Sequence, residues 1–222
     1  MLLGPPRQLA EWLREGRIQA GTIPTFFHLL YPERPIVDGT CIASQGKVDS
    51  VRLFLREEVG KVGKVAVDEG SMTSVALLKV ILRRGYGLSP QFVSCAPRLE
   101  EMMGMAEAAL LIGDAGMKAG EEGVYPSLDL GEEWQRLTGL PFVWALWICR
   151  DDEAARRVAP IVSKAEAAGL RSLKRIARET AAATGLDEGH CLEYLSHTMH
   201  YDLGQKEAAA IEEYGRLWRE LQ

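Results

Sequence analysis

The chain has 222 residues, 47% apolar and 26% charged, with a formal net charge of −5 at pH 7. That balance suits a globular protein long enough for one large domain or two lobes of about 100 residues each. The acidic surplus argues against a nucleic-acid partner. A membrane partner is not expected either, because the longest apolar run, 140–149, is about half what a span requires. MLLGPPRQ at the start lacks the pattern of a signal peptide. Cys41, Cys95, Cys149 and Cys191 are scattered with no CxxC pair, so they read as reduced core thiols of a cytoplasmic protein.

In chain order, Leu9, Trp12 and Leu13 share a helical face, Gly16 ends that helix, and residues 18–23 form a strand. Residues 41–56 read as one long strand. Val65, Ala66 and Val67 are a buried strand, Asp68-Glu69-Gly70 turn, and residues 73–84 form a helix on the stripe Val75, Leu78 and Leu82. A strand follows over 91–95. Leu99, Met102 and Met103 then make a helix stopped by Gly104, and residues 108–112 run as a strand into Gly113-Asp114-Ala115-Gly116. This repeats the opening unit of helix, glycine, strand and small-residue loop. Strands separated by helices favour parallel pairing. Residues 141–149 are a nearly unbroken apolar return strand, with Trp144 and Trp147 on opposite faces. From residue 152 onward the chain reads helical, over 153–168, 171–183, 187–200 and 205–221. The expectation is an α/β fold of two lobes with two hinge strands and a helical C-terminal third. Lobe one takes 1–57 plus 143–222 and lobe two takes 58–142.

Four polar clusters would face a cleft between such lobes: Thr22 with Thr25, Ser44-Gln45-Gly46 with Ser50, Ser71 with Thr73 and Ser74, and Gly113 with Asp114. The first N–H groups of a helix have no backbone partner and carry positive potential, so the Ser71 corner suits a carboxylate or phosphate. The same residues also serve an ordinary capped helix or turn. Taken together they describe a hydroxyl- and amide-lined pocket for an anionic, oxygen-rich small molecule. His28 could titrate near the cleft. His197 and His200 lie three apart on an expected helix but lack a third ligand, so no metal site is expected. No GxGxxG, P-loop, HExxH or nucleophile elbow is present.

The segments CIASQGKVDSV, SMTSVALLKVIL, ALLIGDAGM, LDLGEEWQRLTGLPFVWALW and YDLG occur in this order. The set resembles the chorismate dehydratases of the futalosine route to menaquinone, cytoplasmic enzymes with a type II periplasmic-binding-protein fold. The resemblance spans essentially the whole chain, and its most specific block is 130–147. It implies loss of water from chorismate to give 3-[(1-carboxyvinyl)oxy]benzoate, with no cofactor. On this reading Ser44 and Asp114 are the catalytic candidates. Thr22, Ser44, Gly46, Ser50, Ser71, Thr73, Ser74 and Gly113 are the substrate-binding ones. The family also opens with a strand and a Tyr-Leu-Asn-type loop ahead of the segment that aligns with Gly4-Pro5-Pro6, and no residue here takes that asparagine's place. The sister 1,4-dihydroxy-6-naphthoate synthase and a non-catalytic solute-binding protein for a small carboxylate stay open as alternatives. So does a homodimer.

Overall fold

The computed structural model describes residues 1–222. Its first third lays down α1 (Pro6–Arg14), β1 (Ala20–Pro24), α2 (Thr25–Leu30), β2 (Ile36–Ser44) and β3 (Val51–Leu55). The middle builds β4 (Lys64–Asp68), α3 (Thr73–Tyr86), β5 (Gln91–Cys95), α4 (Leu99–Met105), β6 (Ala108–Ile112), α5 (Gly113–Glu122), β7 (Ser127–Asp129) and α6 (Leu130–Thr138). The chain returns as β8 (Phe142–Cys149), then α7 (Asp152–Leu170), α8 (Leu173–Thr184), α9 (Glu188–Glu193), β9 (Met199–Leu203) and α10 (Gln205–Arg219). No helix is long and apolar enough to cross a membrane.

Two sheets result, one of four strands in the order β1-β8-β2-β9 and one of five in the order β5-β4-β6-β3-β7. The two helix–glycine–strand units fall one in each sheet, as the repeat suggested. Parallel pairing is narrower than expected, however. Only β4 runs parallel to its neighbours β5 and β6, whereas the first sheet is antiparallel throughout. The buried runs AALLI and KVAVD supply the central strands of the second sheet, covered on both faces as such continuous apolar strands must be.

The expected long strand over 41–56 is two strands belonging to different sheets. Gly46 and Asp49 both take positive φ, at 80° and 65°, which breaks the ladder. The carboxylate of Asp129 then collects the N–H groups of Val48 and Asp49, at 3.0 and 2.7 Å. The first crossing therefore lies at residues 45–50, ahead of the break at 57 that the sequence suggested. The register sets Ser44 opposite Phe142, so β2 leaves the first sheet where β8 enters it and the two crossings lie side by side.

The C-terminal third departs from the all-helical expectation at β9. Its residues pair Ala43 with His200 and Ser44 with Met199, covering the outer edge of β2. Periodicity cannot register an open sheet edge waiting for a partner. Between α9 and β9, residues Tyr194–Thr198 wind as a π-helical turn. His197 and His200 consequently lie on different elements and share no helix face.

One apolar cluster of 22 buried residues joins the sheets. Leu53, Val65 and Leu110 enter it from the second sheet and Phe142 and Trp144 from the first, with Leu77, Leu78 and Ile81 of α3 and Tyr214 of α10 between them. Trp134, Phe142 and Tyr214 stack edge to face, with centroids 5.1–6.1 Å apart. Trp147, on the opposite face of β8, packs with Val37, Cys149 and Ala154 under α7. The four cysteines are free thiols.

Candidate functional site

A cavity of about 350 Å³ opens between the two sheets. Its wall includes Thr22, Ser50, Ser71, Thr73, Ser74 and Gly113, so most of the sequence-predicted polar clusters converge on one space. Ile42, Val48, Trp144 and Met199 supply apolar surface. No Asp, Glu, His, Lys or Arg side chain lines it. A small, mostly apolar chamber with a few converging hydroxyls is the form that small-molecule sites take.

The Ser71 corner is built from the turn upward. Asp68, buried at the end of β4, accepts the Gly70 N–H at 2.8 Å, and its carbonyl accepts the Ser71 N–H at 3.0 Å. Burial raises the Asp68 carboxyl above its ordinary range. The turn delivers Ser71 at 3% exposure with its Oγ unpartnered. Just beyond it α3 begins with no side-chain cap and no acidic residue in its first turn. A buried hydroxyl without a partner costs about 1–3 kcal/mol, and the uncapped start of α3 leaves its first N–H donors without a side-chain acceptor. A single anion placed at this corner would satisfy both. Gly113 brings a second helix N-terminus, that of α5, to the same wall.

Thr73 has a different task from its neighbour. Its Oγ1 accepts the N–H of Phe26 on α2 at 3.1 Å, and its carbonyl accepts the Tyr214 hydroxyl of α10 at 3.0 Å. Arg84 pairs with Glu220 at the far end of the same helix. The α3 helix is therefore tied along its length to α2 and α10, helices that pack on the first sheet, and the cavity sits beside that seam.

Of the catalytic and binding candidates, Ser44, Gly46 and Asp114 lie off the wall, as do His28 and Thr25. Ser44 is fully buried behind it and accepts the Trp144 Nε1–H at 3.0 Å, so it sets the orientation of an indole that does line the cavity. Gly46 belongs to the crossing loop. A Cβ on Gly131 would stand 2.2 Å from the Gly46 carbonyl oxygen, so that contact requires glycine at 131. Asp114 is exposed in the first turn of α5 and reaches the site only through its field. His28 faces a separate groove of about 700 Å³ beside α10, and burial lowers its pKa. Thr25 is fully buried with its hydroxyl unpartnered, away from the cavity.

Sequence reasoning missed Tyr194 and the support of the crossing loop. Tyr194 starts the π turn, lines the cavity and shares a 3.0 Å hydrogen bond with Ser50 Oγ. Desolvation raises its pKa, with the carboxylates of Asp114, Asp49 and Asp129 adding to the effect. Asp129 caps α6 through the N–H groups of Gly131 and Glu132 while holding those of Val48 and Asp49. Asp49 in turn meets Lys47 Nζ at 2.9 Å, Arg52 Nη2 at 3.3 Å and His190 Nε2 at 2.9 Å, and the other nitrogen of His190 meets Glu121. An aspartate opening LDLGEEW reads as a helix cap from sequence alone; its reach across some 80 residues does not.

A family model described as menaquinone biosynthesis matches residues 1–220. Over 199 residues the chain is 27% identical to a chorismate dehydratase of Thermus thermophilus, covering 82% of this chain and 73% of that protein. Among solved structures, a protein of Archaeoglobus fulgidus, AF1704, superposes with a TM-score of 0.75 at 15% identity, over 99% of this chain and 85% of its own. The periplasmic aliphatic sulphonate binding protein of Escherichia coli gives 0.68 at 19% identity, over 98% of this chain and 79% of its own. These two likenesses establish the periplasmic-binding-protein-like fold.

Proposed function

We propose that this chain, which belongs to the menaquinone biosynthesis family, is a hydro-lyase that removes water from chorismate to give 3-[(1-carboxyvinyl)oxy]benzoate. The observation that carries the assignment is the unpartnered Ser71 hydroxyl at the uncapped start of α3, on the wall of a cavity with no charged side chain. The likeness to a chorismate dehydratase along most of the chain supports the choice of substrate.

The reaction breaks the C–H bond at ring C3 and the C–O bond at C4. The C3 proton is acidified through the C1–C2 double bond by the ring carboxylate, and charge flows into that carboxylate as the proton leaves. Ser71 and the first N–H groups of α3 hold that developing charge, a preorganised arrangement that needs no counter-cation. The start of α5 at Gly113 offers a second anion position, for the enolpyruvyl carboxylate. With no carboxylate or imidazole side chain on the wall, that enolpyruvyl carboxylate, fixed close to C3, takes the proton itself. Such intramolecular placement is worth large effective molarities. Thr22 and Ser74 add hydroxyls, and Trp144, oriented by Ser44, flanks the ring. We place the protein in the cytoplasm, a reading favoured by four free cysteines.

Incubation with chorismate, followed by chromatography for the benzoate product, tests the assignment. Appearance of product is expected. Tight binding of chorismate with no product would instead indicate a solute receptor of this fold. Indifference to chorismate with turnover of cyclic dehypoxanthinyl futalosine would indicate the naphthoate synthase reaction.

A further inference from the structure

We propose that Tyr194 is the proton donor to the departing C4 hydroxyl, with Ser50 Oγ holding the phenol in place; the proposal rests on the dehydratase reading above. Elimination needs two proton movements, and the enolpyruvyl carboxylate accounts only for the removal from C3. The cavity wall holds one ionisable side chain, and it is Tyr194. Its hydroxyl stands 3.0 Å from Ser50 Oγ, and both residues line the space in which the ring must sit. Ser50 is itself buried, on the crossing loop pinned by Asp129, so the pair stands on a rigid base. Tyr194 begins a π-helical turn, a departure from regular helix that recurs at functional sites. A second tyrosine, Tyr201, donates to the Leu195 carbonyl at 3.1 Å and steadies that turn from β9.

The chemistry balances. As the C4–O bond breaks, its electron pair stays on the departing oxygen, and the Tyr194 proton joins it to make water. The proton released from C3 restores the phenol before the next turnover, so the net change is loss of one water. The groups that face Tyr194 are the carboxylates of Asp114 on α5, Asp49 on the crossing loop and Asp129 before α6, together with the phenol of Tyr201. Desolvation and these charges keep it protonated. Transfer to departing hydroxide is still downhill, because a phenol is a stronger acid than water.

The test compares the unaltered protein with Tyr194→Phe on chorismate and on its 4-fluoro analogue, whose fluoride leaves without a proton. Expected is a fall in kcat of about 100-fold on chorismate with KM nearly unchanged. On the fluoro analogue the fall should be less than about 3-fold, because general-acid help is then not needed. Equal losses on both substrates, or no loss on chorismate, would overturn the assignment to Tyr194 while leaving the dehydratase reading intact. Absence of turnover of chorismate by the unaltered protein would overturn both. Should Tyr194→Phe not fold, Ser50→Ala keeps the phenol but loosens it. A leaving-group-dependent loss of about 5–10-fold in kcat is then expected, and equal behaviour on the two substrates counts against the proposal.

Discussion

Ser71 and Thr73 sit two residues apart, yet substituting them should have opposite consequences for stability. Ser71→Ala removes a buried hydroxyl that has no partner in the empty protein, so Tm should hold or rise slightly. The same change deletes a hydrogen bond to a substrate carboxylate, worth about 1.5–3 kcal/mol, and kcat/KM on chorismate should fall roughly 10- to 150-fold. Thr73→Val should do the reverse. It strands the Phe26 N–H and costs about 1–3 kcal/mol in urea denaturation, with a smaller effect on kcat/KM. A destabilised Ser71→Ala with unchanged kinetics would show that its hydroxyl serves the fold instead. From sequence the two were indistinguishable members of one hydroxyl cluster. What separates them is the arrival of α2, some 47 residues earlier in the chain, at one hydroxyl and not the other.

Elements with a clean local signal, such as the apolar strands and the α3 stripe, were legible in the sequence. β5 and β6 fall on the residues expected of them. The unread parts share one physical property, which is that distant partners decide them. β9 exists because β2 has an edge to cover, and α5 forms through a glycine-rich stretch that local propensity reads as loop. The crossing loop is another such part, and its charge network makes it pH-sensitive. Burial pulls the His190 imidazole down, but its hydrogen bonds to Glu121 and Asp49 outweigh this and its pKa is raised. Burial likewise opposes the ionised form of Asp49, and the bonds from Lys47 and His190 prevail, lowering its pKa. A raised histidine stabilises the fold fully below its unfolded value near 6.5, and this is lost as pH climbs through the folded value. The lowered aspartate contributes above its unfolded value near 3.9 and fades as pH falls through the folded one. The Tm difference between the unaltered protein and His190→Gln should therefore be largest near pH 5–6 and shrink by pH 9. A difference independent of pH would mean that His190 acts through packing alone.

At the scale of the molecule the two lobes are joined by more than the crossings at 45–50 and at the entry to β8. Two lobes on a slender hinge melt separately when few contacts pass between them. Here the 22-residue cluster draws side chains from both sheets, and the buried bond from Tyr214 to the Thr73 carbonyl joins α10 to α3 inside it. Each large side chain buried there contributes about 1.5–3 kcal/mol, so a handful shared across the seam equals the whole net stability of an ordinary domain, about 5–15 kcal/mol. Neither lobe can unfold without exposing the other's core. Calorimetry should accordingly show one transition, with the calorimetric and van 't Hoff enthalpies equal. The cavity lies against that seam, so chorismate bound there holds both lobes together and should move the single transition upward as a unit. At about 100 times Kd the shift corresponds to roughly 2.7 kcal/mol. The pure benzoate product is the ligand to use where turnover would deplete chorismate during the scan. Two resolved transitions, with only one responding to ligand, would show that the lobes are energetically separate and that the site belongs to a single lobe.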